Sequence, residues 1–67
     1  MPTELATAVD VAREFLVNAG LHFARLEEAK YDAEKEEWRI LFDVGTVRPK
    51  IKTVYVETTT GKVIRVE

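Results

Sequence analysis

Residues 3–20 place apolar side chains at Leu5, Ala8, Val9, Ala12, Phe15, Leu16 and Ala19, the i, i+3, i+4, i+7 rhythm that gathers them on one side of an α-helix. It is the one clear helical stripe in the chain. The other apolar residues mostly alternate, as on strands with one buried face, so a lone amphipathic helix has to shield the oily face of a sheet. A chain of 67 residues has material for one hydrophobic core and no second domain. The expected architecture is a single α+β domain over residues 1–67, with one N-terminal helix on a three- to four-stranded antiparallel sheet in α-β-β-β order.

The ends of the helix are marked locally. Thr3 is placed to accept a hydrogen bond from a first-turn N–H, and Glu4 suits the positive end of the helix dipole. Gly20 follows Asn18 and Ala19 and can take a positive φ at low cost, which stops the helix. Asp10, Arg13, Glu14 and Val17 fall on the solvent side.

Between Leu21 and Glu37 the signals conflict: the residues are good helix formers, yet no clean stripe emerges. Arg25, Glu27, Ala29 and Tyr31 alternate with Leu26, Glu28 and Lys30, and Asp32-Ala33-Glu34-Lys35 reads as a polar turn. A strand over 21–31 is the preferred reading. Trp38, Ile40, Phe42 and Val44 then share one face of a second strand, with Arg39, Leu41 and Asp43 on the other. Gly45 to Pro49 is a connection.

For the closing hairpin, a three-residue loop Thr59-Thr60-Gly61 with Gly61 left-handed sets Thr58 opposite Lys62. Counting outward pairs Val56 with Ile64 and Val54 with Val66 on the core face, and Glu57 with Val63 and Tyr55 with Arg65 on the other. The predicted core is Leu5, Val9, Ala12, Phe15 and Leu16 against Trp38, Ile40, Phe42, Val54, Val56, Ile64 and Val66. The far face of the sheet keeps Arg39, Leu41, Asp43, Ile51, Tyr55 and Arg65.

The run Val54-Tyr55-Val56-Glu57-Thr58-Thr59-Thr60-Gly61-Lys62-Val63-Ile64 resembles the closing hairpin of PepSY-type domains, where a strand ending in an acidic residue leads to a Thr-Gly turn and a Val-rich strand. Glu57 stands where that pattern usually has Asp. The resemblance implies a small non-catalytic module that binds or restrains another protein, and it carries over no functional residue.

Composition excludes much chemistry. There is no Cys or Ser and only one His, His22, so a thiolate zinc site, a disulfide framework and a nucleophilic triad are all out of reach. His22 is expected at the surface beside the helix C-terminus. Asp32, Glu34, Glu36 and Asp43 loosely echo a calcium loop, but Glu37 stands where the sharp turn needs Gly. No metal, cofactor or enzymatic activity is expected. No apolar run approaches a membrane span and no secretion signal is apparent, so the reading is cytoplasmic. A third of the residues are charged, Gln is absent and Asn18 is the single Asn, a bias that points to a thermophilic source.

Ten basic against twelve acidic residues leave a net charge of −2, which gives no general attraction to phosphate backbones. The distribution is uneven. Glu27 to Glu37 holds six acids and two lysines, whereas Thr46 to Val56 holds Arg48, Lys50 and Lys52 and no acid. The favoured function is protein–protein contact through the bare sheet face (Arg39, Leu41, Ile51, Tyr55, Arg65) or a strand edge, with a second copy as the nearest partner. The alternative is single-stranded nucleic acid held by Arg48, Lys50 and Lys52 with Tyr55 as a stacking platform.

Overall fold

The computed structural model describes residues 3–67; Met1 and Pro2 lie outside it. Helix α1 (Leu5–Asn18) is followed by β1 (Arg25–Asp32), β2 (Glu37–Asp43), β3 (Ile51–Glu57) and β4 (Val63–Val66). The strands form one antiparallel sheet in chain order. This is the expected α+β arrangement, with the fourth strand present.

Gly20 ends the helix as anticipated, at φ 92°. Its N–H donates to the Val17 carbonyl (2.9 Å) and the Leu21 N–H to the Leu16 carbonyl (2.8 Å), a Schellman closure that folds Leu21 back onto the core. The start differs from expectation. Glu4 is the N-cap, with no side-chain capping bond. Thr3 instead donates both its N–H and its hydroxyl to the Thr58 carbonyl, each at 2.8 Å, and its own carbonyl accepts the Trp38 indole N–H at 2.9 Å. A cross-chain tie has taken the place of a local cap.

Ala8, Ala12 and Leu16, four residues apart, are the buried line of α1, and the two alanines let the helix lie close to Ile40, Phe42, Val44, Val54 and Val56. Leu5 and Phe15, expected in the core, are exposed, because they flank this line instead of extending it. Phe15 overlooks an open cleft of about 360 Å³ between α1 and the β3–β4 hairpin.

The closing hairpin corrects the predicted register. Gly61 is left-handed (φ 70°), but the loop has one more residue than expected. The Gly61 N–H donates to the Glu57 carbonyl (2.8 Å) and the Glu57 N–H to the Lys62 carbonyl (2.9 Å). Val63 therefore faces Val56, and Ile64 is a bulge that restores Tyr55 opposite Arg65 and Val54 opposite Val66. Val63 packs on the core and Ile64 is 46% exposed, the reverse of expectation. Thr58 explains the shift: its N–H and hydroxyl both donate to the Glu36 carbonyl (3.0 and 2.7 Å) while its carbonyl holds Thr3. It has no backbone group left for Lys62.

Strand β1 starts at Arg25, after the connection from Leu21 to Ala24, and the polar turn follows it as predicted. The Asp32 carboxylate accepts the N–H groups of Glu34 and Lys35 (3.1 and 3.2 Å). Register against β2 slips at Glu27, so Leu26, Ala29 and Tyr31 share the helix side while Arg25, Glu28, Lys30 and Asp32 share the other.

Candidate interaction surface

The face of the sheet away from the helix gathers Arg39, Leu41, Ile51, Tyr55 and Arg65, as the alternation required. Arg39, Tyr55 and Arg65 form one cross-strand row. The Arg65 guanidinium lies 3.9 Å from the Tyr55 ring centroid and pairs with Glu67 (3.0 Å) and Glu37 (3.5 Å). Leu41 and Tyr55 are half-buried and Ile51 is exposed.

Two carboxylates on this face are almost closed off from water, Glu37 and Asp43, each 4% exposed. Asp43 Oδ1 accepts the N–H groups of Gly45 (2.9 Å) and Lys50 (3.1 Å), and Oδ2 accepts from Arg25 (3.1 Å). The Lys50 and Gly45 N–H groups, helped by the Arg25 charge, hold its carboxyl below the ordinary range against the opposing effect of burial. The Val44 N–H donates to the Lys50 carbonyl (2.9 Å) and completes a tightly drawn loop. The buried carboxylates of this face are satisfied within the chain, and Leu41, Tyr55 and the exposed Ile51 lie beside them.

Arg48, Lys50 and Lys52 do not join Tyr55 in a single surface. Lys52 sits opposite Phe42 and so belongs to the helix side, whereas Tyr55 sits opposite Arg39 on the other. Arg48 and Lys50 lie in the β2–β3 connection. Among the described residues no ion pair uses any of the three cations; the pairs present are Arg25 with Glu27 and Asp43, Lys30 with Glu28, and Arg65 with Glu37 and Glu67. The acidic and basic stretches therefore do not neutralise each other within one chain. They lie toward opposite ends of the sheet, the acidic turn joining β1 to β2 and the basic segment joining β2 to β3.

Sequence reasoning missed the helix side of β1. A helix about 10 Å across covers two or three strands spaced about 4.8 Å apart, and α1 packs on β2, β3 and β4. Leu26 and Tyr31 are left 41% and 48% exposed on the same side that forms the core elsewhere, with Ala29 between them. Tyr31 stacks at 5.2 Å, tilted, on Trp38, and the Arg13 guanidinium lies 5.7 Å from the centroid of the Phe42 ring, where the helix coverage ends. Phe23, just before the strand, is also exposed. The width of a helix against four strands was the available signal; the offset at Glu27 hid which residues it would uncover.

Among the described residues no cluster of three or more His, Cys, Asp or Glu side chains is arranged to hold a metal ion, and no described helix is long and apolar enough to cross a membrane. The cleft beside Phe15 is lined by Val11, Asn18 and Val63, and offers Glu14 and Lys62 as its charged groups. Compared with family models, with curated proteins and with solved structures, the chain finds no match.

Proposed function

We propose that the protein is a small non-catalytic module that binds protein through β1. The observation that carries this reading is the exposure of Leu26 and Tyr31 on the helix side of a strand that the helix does not cover. Large apolar side chains left together beside a finished core favour burial against a partner. The resemblance of the closing hairpin to PepSY-type domains points in the same direction. Nucleic acid is the weaker reading, because Lys52 and Tyr55 face opposite sides of the sheet and a strand of nucleic acid would need both on one.

The test is a photo-crosslinking amino acid placed at Leu26 or Tyr31 in the native cell, with Thr59 in the β3–β4 turn as the control position. Adducts to protein, a second copy included, should form from the two β1 positions and not from the control. Absence of any protein adduct from both β1 positions would sink the proposal.

A further inference from the structure

We propose that the partner of β1 is β1 of a second copy, antiparallel about a two-fold axis at Ala29, so that two four-stranded sheets join into one of eight strands. This rests on the binding-module reading and specifies its partner. β1 is an edge strand of eight residues, and an edge presents unpaired N–H and C=O groups to any strand that can match it.

The match comes from the order of side chains. With Glu27 set aside as the register irregularity, the face away from the helix reads Arg25, Glu28, Lys30, Asp32, alternating in sign. Reversed against itself about Ala29, the series sets Arg25 opposite Asp32 of the second copy and Glu28 opposite Lys30 of the second copy, twice over by symmetry. On the helix side Ala29 meets its own counterpart and Leu26 meets Tyr31 of the second copy. Every charged pair is then of opposite sign and every apolar residue faces another, which is the self-complementarity that an isologous interface requires.

Neighbouring registers fail. An axis at Glu28 sets Glu28 against itself and Lys30 against Arg25 of the second copy. An axis at Lys30 sets Lys30 against itself and Asp32 against Glu28 of the second copy. Like charges directly opposite are unfavourable on a sheet, so the charge order selects one register. The antiparallel arrangement also reverses the ends of the molecule. It brings the acidic turn after Asp32 toward the end of the other copy that carries Arg48, Lys50 and Lys52, cations that no ion pair among the described residues uses.

Sedimentation of the purified protein from micromolar to millimolar concentration should show a reversible monomer–dimer equilibrium. Lys30→Glu, which faces Glu28 of the second copy, should raise the dimer dissociation constant at least about tenfold, and the double variant Glu28→Lys with Lys30→Glu should restore it. Both positions are exposed, and circular dichroism of each variant reports whether the fold is kept. The chain has no native Cys, and counterparts across such an axis lie about 4.5–5.5 Å apart, within disulfide range. Ala29→Cys should therefore oxidise to a covalent dimer, and Thr59→Cys should not. A strict monomer at millimolar concentration would overturn the proposal, as would a dimer that is indifferent to Lys30→Glu and does not crosslink through Ala29→Cys. The binding-module reading survives either result if Leu26 or Tyr31 photo-crosslinks to a different protein, and falls only if those adducts are absent too.

Discussion

Asp43 joins three parts of the chain through one carboxylate: the Arg25 side chain at the start of β1, and the Gly45 and Lys50 N–H groups at the two ends of the β2–β3 connection. Its folded-state pKa is lowered, so the ionised carboxylate stabilises the fold fully above the unfolded value near pH 4 and progressively less as pH falls through the lowered folded value. Thermal melts of the protein and of Asp43→Asn should differ most at neutral pH and draw together as the medium becomes acid enough to protonate Asp43 in the folded state. Gly45 beside it is a matter of space: a Cβ would come within 1.7 Å of the Arg48 carbonyl oxygen. Gly20 has nothing within 4 Å of a Cβ but stands at φ 92°. Gly45→Ala should therefore force the loop apart and cost about 2–3 kcal/mol, and Gly20→Ala only the left-handed penalty of about 1–2 kcal/mol. Urea unfolding of the two variants measures both.

At the level of elements, the β3–β4 hairpin separates two registers that differ in which neighbour faces the helix. With Ile64 in the bulge, Ile64→Ala should stay within about 0.5 kcal/mol of the parent, whereas Val63→Ala should cost about 1 kcal/mol or more. Chemical denaturation of both variants distinguishes the observed pairing from the one the alternation predicts. The helix, its glycine stop and the inward faces of β2 and β3 were legible because short-range periodicity and one strong turn residue decide them. The hairpin offset was not, since it is set by Thr58 bonding to Thr3 and Glu36, 55 and 22 residues away in sequence. The candidate site divides similarly. The row Arg39, Tyr55, Arg65 follows from alternation, and the odd spacing of Lys52 and Tyr55 already set them on opposite faces. Leu26 and Tyr31 were hidden because the irregularity at Glu27 puts residues five apart on one side.

The whole molecule is elongated, 38 × 20 × 18 Å, and its fully buried large side chains are Phe42, Leu16, Ile40, Val54 and Val56. A chain of this length is stable by about 3–10 kcal/mol, against about 2–5 kcal/mol for removing a buried leucine. Leu16→Ala should lose a fifth or more of the stability, read as a lower urea midpoint with an unchanged slope. The helix packs on β2, β3 and β4, all later in the chain, and Thr3 waits for Thr58. Ala8, Ala12 and Leu16 are thus sheltered by residues that all follow the helix in the chain, so the helix alone cannot bury its oily stripe. A nascent chain in which β3 and β4 are not yet free of the ribosome would keep part of that stripe open to chaperones, so the core closes only once residues 51–66 can reach the helix.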